Sequence, residues 1–277
     1  MIYLLLAIVS SALISVVMRL SEKKITGNVA MLAMNYVTCL VVASAYAGFE
    51  LLPASPALPQ TLAMGTVHGA LFLCSFVLLQ RNIQKSGVVL SSLFQRLGLL
   101  VSLAAAVLLF GELPTLLQTV GFVLALGAIV LINTGKDTSF RGAGAGLLAL
   151  LVLGGLGDAM SKVFETWGDT ALAPQFLAYT FGTALVLCVG LMLYKKQRPG
   201  WYELLFGVLI GIPNFFSARF LLRALESLAA VIVYPTFSVG TILVVTLAGV
   251  VLFGEKLSRR QWAALGVILA ALVLLNI

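Results

Sequence analysis

Leu109-Phe110-Gly111-Glu112 recurs 143 positions later as Leu252-Phe253-Gly254-Glu255. At that fixed offset Gln118 meets Gln261, Asn133 meets Asn276, Glu22 meets Glu165, Arg19 meets Lys162 and Tyr36 meets Tyr179. Val88 falls on Val231 and Phe94 on Phe237. Leucine matches carry little weight in an apolar chain. Polar, aromatic and glycine matches kept in register without a gap over the whole length point instead to duplication. The two copies are residues 1–134 and 142–277.

Each copy divides into five apolar runs. They fall at about 2–20, 29–48, 61–80, 87–110 and 115–133, then at about 143–163, 171–194, 202–223, 228–252 and 260–277. The breaks hold turn formers and charges, as in Ser21-Glu22-Lys23-Lys24, Arg81 to Lys85 and Lys195 to Gly200. Runs of about 20 residues match one helical crossing of a bilayer. A helix also pairs each backbone N–H and C=O within its own segment, as hydrocarbon requires. A membrane β-barrel needs short alternating segments, which these are not. Five crossings per copy, an odd number, set the copies in opposite orientations, the inverted-repeat plan of many secondary transporters. The predicted fold is therefore all-α integral membrane, with ten transmembrane helices as two inverted five-helix repeats.

Composition agrees. Of 277 residues 61% are hydrophobic and 10% charged, against roughly 45–50% and about 25% in soluble domains. The net charge of +7 reflects topology rather than nucleic-acid binding, because the basic residues sit in the gaps between runs. Thirteen of the seventeen Lys and Arg residues fall on the side of the links between helices 1–2, 3–4, 5–6, 7–8 and 9–10. The opposite side holds Lys162, Arg219 and Arg223, and Arg96 lies within a run. The positive-inside rule then predicts a multi-pass protein of the cell membrane with both termini outside the cytoplasm. No basic residue precedes the first run, so it reads as a retained helix and not a secretory signal. Cys39, Cys74 and Cys188 lie inside apolar runs and suggest neither a disulfide frame nor a metal site. No Gly-x-x-x-x-Gly-Lys loop or catalytic triad is present, so no cofactor, no metal and no enzymatic activity are expected.

A helix ending in Leu-Phe-Gly-Glu, followed by a short link and a Gln-bearing apolar helix, resembles the EamA repeat of the drug/metabolite transporter (DMT) superfamily. Val233-Tyr234-Pro235-Thr236-Phe237, with its proline before the second Gly-Glu, is similar to that repeat as well. The first copy departs from it in carrying Ser92 where the second has Pro235. The resemblance implies ten helices around a central cavity lined by the first four of each repeat, with the fifth and tenth bracing the halves. It is nearly silent about substrate.

Gly111-Glu112 and Gly254-Glu255 read as structural corners, since glycine suits a helix end and an acid suits the next helix start. Pro235 joins them as a structural residue. Arg96 lies about ten residues into its run, where a guanidinium is costly unless it faces protein or water. Ser92 and Gln95 share its helical face. It reads as either a cavity residue or a brace hydrogen-bonded to carbonyls. Asn35, Tyr36, Tyr179, Asn214 and Tyr234 are further candidates to orient a solute, against the alternative of helix packing. Asp158 and Arg219 fall at comparable depth and suggest a buried pair, acting as gate, ion-coupling site or structural glue. His68, alone in an apolar helix, is a satisfied core imidazole or a proton relay. Gly65-xxx-Gly69 and Gly207-xxx-Gly211 suggest close helix crossings.

These features predict a secondary transporter of a small metabolite, working by alternating access in the lipid bilayer. Two embedded arginines set against one embedded acid favour a zwitterionic or anionic, amino-acid-like substrate. Proton linkage is a further expectation, and the resemblance tilts direction slightly towards efflux. A monomer suffices for this fold. The alternative is a membrane enzyme or lipid flippase using the same helical cavity.

Overall fold

The computed structural model describes residues 2–98, 144–227 and 230–275, with scattered positions between 100 and 127. Among these residues the chain is helical, with no strand. In chain order the helices are α1 (Ile2–Ser21), α2 (Asn28–Tyr46), α3 (Leu58–Ser86), α4 (Val88–Arg96), α5 (Gly144–Trp167), α6 (Ala173–Tyr194), α7 (Trp201–Ser227), α8 (Ala230–Phe253) and α9 (Arg259–Leu275). Seven stretches are long and apolar enough to cross a membrane, in α1, α2, α3, α5, α6 with the short helical turn before it, α7 and α8. The expected fifth helix and the Gly111-Glu112 corner lie largely or wholly outside the described residues.

Two expectations about helix bounds are corrected. The basic segment Arg81–Lys85 belongs to α3 and not to a link. At 29 residues and 1.5 Å each, α3 outruns the ~30 Å hydrocarbon core, which leaves helix to spare for its charged end. Nothing breaks it before Gly87, whose φ of 82° and ψ of 168° lie in a region essentially confined to glycine. Second, residues 87–110 are not one continuous helix. α4 stops at Arg96, and i→i−3 bonds tighten the backbone, from Gly98 N to Gln95 O (3.2 Å), Leu100 N to Leu97 O (3.0 Å) and Val101 N to Gly98 O (2.8 Å). At this turn Gly98 meets Gly155 of α5. A Cβ on Gly98 would lie 2.7 Å from the Gly155 nitrogen, so only glycine lets the two backbones meet.

The packing pairs match between the halves. α1 packs on α7 and α8, while α5 packs on α3 and α4; α2 packs on α7, while α6 packs on α3. α2 with α6, and α4 with α8, meet across the middle. The glycine pairs serve these crossings. Gly65 and Gly69 sit against Phe176, Tyr179, Thr180 and Thr183 of α6, and Gly207 and Gly211 against Met31, Met34, Asn35 and Thr38 of α2.

Hydrogen bonds fix which links share a face. Glu203 Oε1 accepts from the backbone N–H of Thr26 at 2.7 Å and Gly27 at 3.1 Å. Gln197 Oε1 accepts from Val29 N at 3.0 Å, and the Asn28 and Gln84 amides bond at 3.2 Å. Residues 21–28, 81–88, 195–203 and 254–258 therefore form one end of the bundle, the end rich in Lys and Arg. At the other end the Gln60 amide donates to the Trp167 carbonyl at 3.0 Å, and the Gln175 amide to Glu50 O at 3.0 Å.

Candidate functional site

α1 and α4 run antiparallel along a polar seam. The Arg96 guanidinium donates to the Ser11 hydroxyl, and one turn away Ser92 Oγ donates to Ser15 Oγ at 3.0 Å. Ser11 and Ser15 on α1, like Ser92 and Arg96 on α4, are spaced i, i+4 and so share a helical face. Arg96 also lies 4.4 Å from the Phe237 ring centroid of α8. It is half-buried at the carboxyl end of α4, where a cation complements the helix dipole.

Asp158 of α5 is within electrostatic reach of Arg96, although no ion pair within 4 Å joins them among the described contacts. Its side chain is accessible. A carboxylate on a membrane-spanning helix is tolerable where it meets protein or water and not lipid. Gln95, the neighbour of Arg96, lies against Gly154 of the same α5. Four helices thus contribute to this cluster: α1 with Ser11 and Ser15, α4 with Ser92 to Arg96, α5 with Asp158, and α8 with Phe237.

The expected Asp158–Arg219 pair is not formed. Arg219 stacks over the Tyr46 ring at 5.0 Å, near the end of α2, and the charge that Asp158 senses is Arg96. The other candidates separate into distinct places. Asn35 Oδ1 accepts from Asn214 Nδ2 at 3.3 Å and, more weakly, from the Cys39 thiol at 3.7 Å, a buried polar clamp between α2 and α7. Tyr36 is fully buried against Phe72 and Phe76, its hydroxyl without a hydrogen-bond partner. Its counterpart Tyr179 instead donates to the Leu51 carbonyl at the less basic end. His68 lies between Thr180 Oγ1 at 3.2 Å and Ser161 Oγ at 3.4 Å, stacked on Phe176 at 5.2 Å. Both ring nitrogens have partners, as a core imidazole needs. The side chains of Tyr234 and Pro235 fall outside the described residues, as do Gly111 and Glu112.

Gly254-Glu255 is a corner, reaching further than expected. Gly254 turns at φ 62°, and Glu255 caps not its own next helix but α4, accepting from Val88 N at 2.7 Å and Val89 N at 3.2 Å. Sequence reasoning also missed Ser11 and Ser15. Their i, i+4 spacing, equal to that of Ser92 and Arg96, was the available signal.

A helical bundle with apolar spans and an embedded polar cluster defines a multi-pass membrane protein. The sequence model of the EamA-like transporter family matches residues 1–134 and again 140–277, and the chain belongs to that family of membrane transporters. It is 26% identical over 283 residues to an uncharacterized protein of Haemophilus influenzae, covering 96% of this chain and 93% of that one. It is 28% identical over 184 residues, 61% of this chain and 56% of the relative, to the uncharacterized inner membrane transporter YedA of Escherichia coli. A protein of known crystal structure superposes with a TM-score of 0.63 at 16% identity, over 98% of this chain and 95% of that one, a likeness of fold.

Proposed function

We propose that the protein is a secondary transporter of a small zwitterionic or anionic metabolite of amino-acid type, which it moves by alternating access between two inverted repeats. The observation that carries this reading is the Arg96 cluster. A guanidinium held by a hydroxyl and an aromatic face, with a carboxylate opposite at longer range, offers complementary charges to a molecule bearing both an anion and a cation. Arginine's planar fork suits a carboxylate, and Asp158 is the counterpart for an ammonium group. The cluster sits where α1, α4, α5 and α8 meet, the first and fourth helices of each half. The matched packing pairs of the halves support the inverted-repeat part of the reading.

Export is the direction we assign, with the basic end of the bundle cytoplasmic and both termini outside, in the inner membrane as the name of the YedA relative suggests. Proton linkage belongs to the same reading. The test is a proteoliposome screen with radiolabelled amino acids and related metabolites, with and without a pH gradient. Uptake of a zwitterion that is lost in Arg96→Ala supports the reading. Transport confined to organic cations, or indifferent to Arg96, would overturn it.

A further inference from the structure

The α1–α4 seam does not end at Ser15 and Ser92. One further turn along α1 stands Arg19, and one further turn along α4 its first residue, Val88. Here Arg19 bonds Glu22 Oε2 at 2.5 Å and the Ile83 carbonyl at 3.3 Å, and its Nε lies 3.8 Å from Glu255 Oε1. Glu255 in turn holds Val88 N and Val89 N. Four pieces of chain are tied at one point: the end of α1, the end of α3, the start of α4 and the α8–α9 corner. Arg19 and Glu255 come from opposite halves of the chain. Two turns, about 11 Å of helix, separate this knot from Arg96.

The two carboxylates are not equivalent. Both oxygens of Glu255 accept backbone N–H groups. Glu22 spends one oxygen on Arg19, while its Oε1 is buried without a hydrogen-bond partner. A buried, unpaired carboxylate oxygen is costly as an anion and is relieved by a proton. The charged groups bearing on Glu22 are Arg19 and Lys23 of its own segment and Glu255 from the α8–α9 corner. From α3 it is the Ile83 carbonyl that reaches Arg19.

We propose that Arg19, Glu22 and Glu255 form a proton-sensitive clasp closing the basic end of the transporter, with Glu22 the group that takes the proton. This rests on the alternating-access reading above. When the clasp is closed, Glu22 binds H⁺ from water at Oε1, and Arg19 keeps Glu255 as its counter-ion. When α1 and the α8–α9 corner part, Glu22 meets water and the proton returns to solvent on that side. Burial in the closed state raises the Glu22 carboxyl above its ordinary range, with Glu255 adding to the shift and Arg19 and Lys23 opposing it. The sign follows: a raised carboxyl stabilises the closed state at low pH, and that contribution is lost as pH rises through the raised value. Acid closes the clasp, and neutral or alkaline solution frees it. The seam then links this end to the Arg96 cluster, since the same two helices carry both.

The test needs no substrate. Ser91 of α4 is fully buried one turn beyond Gly87, its hydroxyl bonded to its own helix. Ser91→Cys, in a chain whose three native cysteines are alanine, reports opening through maleimide labelling, each rate divided by that of the denatured chain at the same pH. Normalised labelling should slow between about pH 8 and about pH 5.5, by at most tenfold per unit. Glu22→Gln should give slow, pH-independent labelling with an unimpaired melting temperature, and Glu22→Asp should restore the pH dependence. Labelling that keeps its full pH dependence in Glu22→Gln would overturn the clasp. A protein that closes in acid but moves no metabolite keeps the clasp and sinks the transporter reading. Uptake alongside pH-blind labelling does the reverse.

Discussion

The Arg96 guanidinium lies 4.4 Å from the centroid of the Phe237 ring, so a cation of α4 rests on an aromatic face of α8 while it holds Ser11 of α1. Such a contact contributes roughly 0.5–2 kcal/mol, more as water is excluded. A lysine supplies one point charge and cannot both stack and fork. Arg96→Lys should therefore preserve expression and weaken substrate affinity, and Arg96→Ala should nearly abolish transport. Phe237→Leu keeps most of the packing but loses the ring face, and should fall between wild type and Arg96→Lys. Affinity and expression measured in the same membranes separate binding from bracing. An intact Arg96→Ala protein with unchanged affinity would rule out the binding role.

Asp158 feels the charge of Arg96, whereas Arg219 is stacked on Tyr46. A double-mutant cycle on melting in detergent should show coupling between Asp158→Asn and Arg96→Gln. The same cycle with Arg219→Gln should be additive within about 0.5 kcal/mol. Because no ion pair within 4 Å joins Asp158 to Arg96 among the described contacts, the coupling should be modest, about 1 kcal/mol, below the roughly 3–5 kcal/mol of a broken buried pair. Coupling to Arg219 instead of Arg96 would contradict this arrangement.

Where helices begin and end was largely readable in advance, because the apolar runs and their charged breaks follow from bilayer thickness and backbone pairing. Arg81 to Lys85 misled because a charged segment looks like a link, yet with no Gly or Pro between Gly69 and Gly87 the backbone had no reason to stop. The break after Arg96 was hidden for the opposite reason: Leu97-Gly98-Leu99-Leu100 is apolar throughout, and the turn is set by Gly98 meeting Gly155. Polar depth identified Arg96 as special, but depth alone could not name its partners. Asp158 and Arg219 were matched in height along the membrane, and the rotation of each helix, which sequence leaves open, turned Arg219 towards Tyr46. The Glu255 cap of α4 joins residues 167 apart in sequence, beyond any local pattern.

Gly87 and Gly266 make a contrasting pair. A Cβ on Gly87 would lie 2.7 Å from Glu255 Oε1, and the residue's φ is 82°. Alanine there adds backbone strain of about 1–3 kcal/mol and displaces the cap, whose loss is worth about another 1 kcal/mol. Gly266 of α9 has open space around its Cβ position, where alanine should gain roughly 0.5–1 kcal/mol of helix stability. Melting in detergent should therefore drop by several degrees for Gly87→Ala and hold or rise for Gly266→Ala. Equal effects would show that the Glu255–Val88 contact does not constrain α4.

The last expectation concerns which way the bundle faces. Glu203 with Thr26, Gln197 with Val29, Asn28 with Gln84 and Glu255 with Val88 tie four links into one end. That end carries Lys23, Lys24, Arg81, Lys85, Lys195, Lys196, Arg198 and Lys256. The other end carries the corners near Leu51, Gln60 and Trp167, which bring few cations. Short basic links are retained on the cytoplasmic side during insertion, so this end should face the cytoplasm, and helix parity then puts the carboxyl terminus outside. Alkaline phosphatase fused after Ile277 should be active, and a fluorescent protein inserted at Arg198 should fluoresce. The reciprocal fusions should be silent. A dark Arg198 fusion with an inactive Ile277 phosphatase would invert the bundle, and would move the Arg19–Glu22–Glu255 clasp to the outer mouth.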